Sequence, residues 1–176
     1  ARGLMCVALT AERLDELAIP LIPPDPVDRD RAAFAVPVDA RRGIRTGDSA
    51  EDRARTIATL IDPHATAHDL VRPGHVQPVQ AAPGGVLQRT GHTEAAIDLC
   101  RLAGLYPAAV TCQILDDAGD AARWEQLKGF ADRHGFHLVT IADLIRYRRR
   151  TEKLVRRIEE ADLPTEYGHF KAIVYE

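Results

Sequence analysis

The longest uninterrupted apolar run in the sequence, residues 4–9, is only six residues long. A helix that crosses a bilayer needs ~20. A membrane-spanning helix is therefore excluded, and so short a run reads as a buried strand. Thr10 then caps a turn of helix over 11–17, and Pro20, Pro23, Pro24 and Pro26 carry the chain into a surface loop that reaches Arg31. Strand-like and helix-like segments continue to alternate from there, the order expected of a mixed α/β domain.

Residues 33–38 are the second strand candidate. Arg41, Arg42, Gly43, Arg45 and Gly47 follow as a basic, glycine-bearing loop. Ser49, with Asp52 three residues on, has the form of an acidic capping box, and Ile57, Leu60 and Ile61 keep helical spacing, so a helix is expected over 50–61. Within the Pro-, Gly- and His-rich stretch 63–91, short apolar pieces at 75–80 and 85–87 read as strands. Thr93 opens a helix that turns Ala96, Ile97, Leu99, Cys100 and Leu102 inward and stops at Gly104. Residues 110–115 are a strand, 120–134 a helix closed by Gly135, 137–140 a short strand, and Ile141 starts a last helix. That helix becomes highly charged over 146–160, with thin apolar support from Leu154, Val155 and Ile158. The expected division is a domain over 1–150 and a charged helical connector over 151–176, broken near Pro164.

A chain of 176 residues is one domain's worth of material and can bury a core without a disulfide or metal. Its formal net charge of -3 supplies no strong field for nucleic acid or an anionic membrane, and neither partner is expected. Cys6, Cys100 and Cys112 are an odd set with no paired spacing. They read as buried free thiols in a reducing compartment, which points to the cytoplasm. The opening Ala1-Arg2-Gly3 reads as a cut end without a targeting signal.

The densest chemical cluster runs from Gly84 to Glu94. Arg89 offers a planar fork for phosphate, Thr90, Gly91 and Thr93 lie where a loop enters a helix, and His92 brings an imidazole that can ligate a divalent cation. The plain alternative is a capping Thr93 beside a surface His92. His75 is aimed by the bend Arg72-Pro73-Gly74, although a lone loop histidine is more often merely exposed. Thr46 and Ser49, at a helix start beside the Arg41–Arg45 cations, offer a second anion contact or a solvated, capped turn. His64 and His68 have zinc-like spacing, but Pro63 and the lack of an adjacent glutamate argue against a site. Asp116 and Asp117 follow a strand and read as turn residues.

Taken in order, Arg72-Pro73-Gly74-His75-Val76, Gly84-Gly85-Val86-Leu87, Arg89-Thr90-Gly91-His92-Thr93-Glu94-Ala95, Leu102-Ala103-Gly104-Leu105 and Ile141-Ala142-Asp143-Leu144-Ile145 resemble 3,4-dihydroxy-2-butanone 4-phosphate synthases. The likeness runs from Gly3 to about Arg150. It implies a mixed-sheet α/β sandwich, a homodimer with sites at the subunit interface, and Mg²⁺- or Mn²⁺-dependent cleavage of ribulose 5-phosphate to formate and the four-carbon precursor of riboflavin. It also assigns roles. His92 matches the imidazole metal ligand, and Arg89, Thr90, Gly91 and Thr93 match the substrate-holding loop. His75 matches a catalytic position, and Cys6, Thr46, Ser49, Asp52 and Arg53 match site-lining ones. Leu163-Pro164-Thr165-Glu166-Tyr167-Gly168-His169-Phe170 is similar to the junction that leads into a fused GTP cyclohydrolase II domain.

Three departures bear on activity. The family's acidic N-terminal metal-ligand segment has no counterpart in these residues. The catalytic glutamate expected twenty-one residues after His92 is Gln113, which cannot accept a proton as a carboxylate does. Arg45 and Asp48 replace a hydroxyl and an apolar residue in the Thr46–Ala50 loop, and Ala121 replaces a methionine. These changes leave two other readings: a degenerate synthase-like scaffold that dimerises or binds ligand beside an attached cyclohydrolase, or an enzyme acting on a different sugar phosphate.

Overall fold

A computed structural model describes residues 3–23 and 32–176. It divides the chain into two compact units, 1–141 and 142–176. Most of the proline-rich loop expected up to Arg31 lies outside the described residues.

The first unit is built on a mixed sheet. Strand β1 (Met5–Leu9) lies between β4 (Leu70–Gln80), parallel to it, and β5 (Ala109–Cys112), antiparallel. The long β4 also pairs antiparallel with β2 (Ala33–Phe34) and β3 (Val38–Ala40). The single strand expected over 33–38 is thus two strands, for a local reason. Pro37 has no N–H to give the ladder, and its carbonyl instead receives the Gly74 N–H at 2.9 Å.

Helices cover both faces. Helix α1 (Ala11–Glu16), capped by the Thr10 hydroxyl, and α2 (Ala50–Ile61), capped by Ser49, contribute Leu14 and Leu60 to one core with Val7, Leu9, Val38, Leu70 and Val76. Helix α3 (His92–Leu102) sets Ile97 against Ala8 and Ala81 on the other face. The buried Arg13 of α1 joins the two helices of the first layer. Its Nε and Nη2 donate to the Leu60 and Asp62 carbonyls at 2.8 and 2.6 Å, so a cation satisfies the last carbonyls of α2, which has no basic residue in its final turn.

Several expected elements differ. Residues 85–87 form a 3-10 turn rather than a strand, with Gly85 at φ 61°. Helix α4 (Trp124–His134) starts four residues late because 120–122 are used in a bridge: Ala121 pairs with Leu115, and Ala122 N–H reaches the Ile114 carbonyl at 2.9 Å. It ends as expected, on Gly135 in the left-handed region. Residues 137–140 are not a strand, since no described strand pairs with them, and Leu138 and Val139 remain 42% and 55% exposed. On α3, Leu99 and Leu102 are exposed, and the buried face carries Glu94, Ile97 and Asp98.

The second unit corrects the connector. Helix α5 (Ile141–Thr151) stops at an Arg148–Glu152 pair of 2.6 Å, and β6 (Arg157–Thr165) folds back on β7 (Gly168–Tyr175). Leu163 faces Phe170, Lys171 pairs with Glu160, and the turn holds Gly168 at φ 138°. Most of the residues after Thr151 that read as charged helix are thus an exposed hairpin, in which Pro164 lies near the end of β6, opposite His169, and residues 166–167 make the turn. Cross-strand pairing outweighs the weak helical pattern there.

Candidate active site

Two carboxylates that local sequence reading leaves unassigned hold two of the expected site residues, His75 and Arg89. Asp39, in β3, is buried and faces β4. Its Oδ1 accepts the His75 backbone N–H at 2.9 Å, and its Oδ2 lies 2.7 Å from His75 Nδ1. Half of the His75 side chain remains exposed, against 7% for Asp39. The hydrogen bond and negative charge of Asp39, with a contribution from Asp48, raise the His75 pKa. Since Asp39 engages Nδ1, Nε2 is the ring nitrogen left for chemistry.

The loop before α2 closes over this pair. Asp52 accepts the backbone N–H groups of Gly47 at 2.9 Å, Thr46 at 3.0 Å and Arg45 at 3.2 Å. These bonds, that of Gly47 foremost, lower its pKa to about 2. The expected capping box is therefore half present: Ser49 Oγ accepts the Asp52 N–H at 3.1 Å, while the Asp52 carboxylate turns to the loop. Gly47 sits at φ 88°, and a Cβ there would run into Asp39 Oδ2 and stand 2.6 Å from His75 Nδ1. Only glycine allows the loop this approach. Thr46 donates its hydroxyl to Asp48, which lowers the Asp48 pKa. Arg53 Nε is buried without a partner among the described residues.

Strand register brings more of the expected residues to the same end of the sheet. Cys6 is opposite Gln77 on β4 and Thr111 on β5. Leu4, the residue before β1, takes the Gln113 N–H at 3.3 Å, and the β1–β4 register continued two residues past Cys6 sets it level with His75. Side chains alternate between faces with period two, so Cys6, His75 and Gln113 share one face. His75 and Gln113 are two strand spacings apart, roughly 10 Å. Cys6 is half buried and its thiol pKa is raised, first by burial and then by Cys112. The cysteines are free, but Cys112 is exposed and Cys100 only partly covered, because β5 ends the sheet and leaves its outer side open.

The second expected cluster surrounds the start of α3. Its N-cap is Gly91 rather than Thr93, and no side chain caps this end. His92 is therefore the first residue of the helix, exposed, with Thr93 behind it. Arg89 is held by Glu94, whose Oε2 accepts from Arg89 Nη1 at 2.8 Å. Thr90 is exposed beside it. Asp39 and Glu94 escape local pattern reading for different reasons. The only sign of Asp39 is a lone acid among apolar strand residues, and Glu94 looks like an ordinary first-turn acid.

No three His, Cys, Asp or Glu side chains among the described residues gather where a metal ion could sit. Glu94, the carboxylate closest to His92 in sequence, is spent on Arg89 and on the Ala82 N–H. One imidazole does not suit a hard divalent cation that prefers several oxygen ligands. His64 and His68 join no cluster either, and Asp116 accepts the Ala118 and Asp120 N–H groups as a turn residue.

The mixed-sheet α/β sandwich thus carries an Asp–His pair at one sheet end and an arginine-bearing loop before an uncapped helix. The 3,4-dihydroxy-2-butanone 4-phosphate synthase family model matches residues 1–147, and the chain belongs to that family. It is 49% identical over 176 residues to the riboflavin biosynthesis protein RibBA of Endomicrobium trichonymphae and 52% identical over 173 residues to that of Salinispora tropica. It covers 100% and 98% of itself in these matches but only 44% and 43% of the relatives' length. Among solved structures, RibBX of A. baumannii, a two domain 3,4-dihydroxy-2-butanone 4-phosphate synthase, superposes with TM-score 0.89 at 45% identity, covering all of this chain and 52% of that one. A 3,4-dihydroxy-2-butanone 4-phosphate synthase in complex with two magnesium ions gives TM-score 0.81 at 39% identity, over 86% of this chain and 76% of that one. Among the described residues no helix is long and apolar enough to cross a membrane.

Proposed function

We propose that this chain is the part of a riboflavin-biosynthesis protein that converts D-ribulose 5-phosphate to formate and 3,4-dihydroxy-2-butanone 4-phosphate, a lyase reaction. The observation that carries the reading is the Asp39–His75 pair, closed in by the 45–47 backbone, on the sheet face that also bears Cys6 and Gln113.

In this reading His75 exchanges protons with the sugar carbon skeleton through Nε2, while Asp39 fixes the ring and stabilises its charged form. Arg89, Thr90, Gly91 and Thr93 hold the phosphate at the start of α3, where unpaired helical N–H groups favour an anion. Thr46, Ser49, Arg53 and Cys6 line the site. Mg²⁺ or Mn²⁺, when bound, supplies polarisation of the sugar oxygens. His92 is the ligand that the resemblance assigns to the ion.

The same reading makes the protein a cytoplasmic homodimer and residues 151–176 the approach to a fused GTP cyclohydrolase II domain in the part of the relatives this chain does not cover. Formate release from ribulose 5-phosphate, measured on the full-length protein with Mg²⁺, tests it. Ribulose 5-phosphate-dependent formate supports the reading, and its absence from both the unmodified protein and a Gln113→Glu variant overturns it.

A further inference from the structure

Glu94 is fully buried, yet it carries a carboxylate. Such a group is costly to bury unless each oxygen is used, and both are. Oε1 accepts the Ala82 N–H at 3.0 Å and Oε2 accepts from Arg89 Nη1 at 2.8 Å. One turn along α3, the buried Asp98 takes the Val86 N–H at 2.8 Å. The two acids, four residues apart on one helical face, thus bind the 82–89 segment along its length.

Arg89 keeps 32% of its side chain exposed while Glu94 keeps 1%. The guanidinium is anchored from below and still presented at the surface. Gly91 completes the arrangement: a Cβ there would strike Glu94 Oε2 and stand 2.6 Å from Arg89 Nη1. The planar guanidinium binds an anion well only when its fork points correctly, and a long side chain loses rotamer freedom when it is fixed. A partner that fixes it beforehand removes most of that cost from binding.

The geometry points to Glu94 as a positioning residue that pre-orients Arg89 toward the phosphate of the substrate. This rests on the reading of Arg89 as an anion contact. Glu94 itself touches no substrate; it acts through Arg89 and through the loop amide of Ala82.

A double-mutant cycle on the full-length protein tests this, with ribulose 5-phosphate as the titrated ligand and thermal melting as the folding control. Glu94→Gln keeps the shape and removes the charge. It is expected to raise the Kd about tenfold or more while leaving saturated turnover nearly unchanged, and to raise it less than about twofold once Arg89→Ala is present. An equal effect in both backgrounds means that Glu94 only supports the loop, and overturns the proposal. A Glu94→Gln Kd within about twofold of the unmodified protein does the same. If Arg89→Ala alone leaves the Kd unmoved, the anion reading fails as well. If Arg89→Ala weakens binding while Glu94→Gln does not, only the positioning role fails. Should a charge-removing variant not fold, NMR of the Arg89 Nε–H group in Glu94→Asp decides. The carboxylate is then withdrawn by one methylene, and an ordered guanidinium in the unmodified protein should become averaged; no change in order overturns the proposal.

Discussion

One carboxylate holds His75 at two points: Asp39 takes its backbone N–H at 2.9 Å and lies 2.7 Å from ring Nδ1. The backbone contact fixes where the residue sits, and the ring contact fixes which nitrogen faces outward. A histidine on a strand, otherwise only an exposed side chain, becomes an oriented acid–base group.

Asp39→Asn keeps an acceptor for the backbone N–H and removes the charge. The raised pKa of His75 is therefore expected to fall back toward the ordinary 6.5, read by NMR titration of the ring. The folded-state pKa lies above the unfolded one. The His75–Asp39 contact thus stabilises the fold fully below about 6.5 and loses that contribution as pH rises through the folded value. With Nε2 acting as base, the acid limb of formate release should move to lower pH in the variant. An unchanged titration means that Asp39 does not govern the ring.

Gly47→Ala tests the closeness of the loop. At φ 88° any side chain is strained, and the new Cβ would collide with Asp39 Oδ2 beside His75 Nδ1. A loss of about 1 kcal/mol or more is expected from the backbone alone, measured by denaturant unfolding, together with partial return of the His75 titration toward its ordinary value. A variant as stable as the unmodified chain would mean that the loop does not press on the pair.

Local chemistry made much of this legible in the sequence. Thr10 and Ser49 cap the helices they were expected to cap, Gly135 ends α4, and the 4–9 run is the central strand. What stayed hidden depends on contacts between distant residues. Nothing near Asp39 reveals that its partner lies thirty-six residues on, and nothing near Glu94 reveals that both of its oxygens are occupied. Residues 137–140 have strand composition without a described strand to pair with, and the charged stretch after Thr151 pairs with itself across a turn that the helical pattern does not encode. The resemblance named His75 and Arg89, and the structure adds the acids that contact them.

Acid should loosen the 45–47 segment before it unfolds the core. Asp52 titrates at about 2 in the fold against 3.8 without its contacts. Its contribution is thus fully present above about 3.8 and is lost as pH falls through about 2. Amide exchange at Arg45, Thr46 and Gly47 should accelerate across that window in the unmodified chain. In Asp52→Asn, fast exchange should already be present at neutral pH. Protection that persists in the variant would show that other contacts hold the loop.

The scattered metal donors give a further expectation. With His92 alone and no converging carboxylates among the described residues, the 176-residue chain should bind Mn²⁺ more weakly than about 10⁻³ M, the weak end for oxygen-ligated cations. Water-proton relaxation during a Mn²⁺ titration reads this directly. Micromolar binding abolished by His92→Ala would mean that the described donors do complete a site.

Gln113 stands level with His75 across β1, on the same face, with its N–H on the Leu4 carbonyl. An amide there can hold a hydroxyl but cannot take its proton, and loss of a positioned acid–base group costs about 10² to 10⁴ in rate. Gln113→Glu is therefore expected to raise formate release from ribulose 5-phosphate by about that factor. Because the side chain is exposed, stability should stay within about 0.5 kcal/mol. Turnover already at the level of the variant would mean that another group, with Asp48 beside His75 the first to examine, supplies the missing carboxylate, and Asp48→Asn in the unmodified background would then abolish it. A variant no faster than a feeble parent would instead place the rate limit away from Gln113, at the phosphate loop or at the metal.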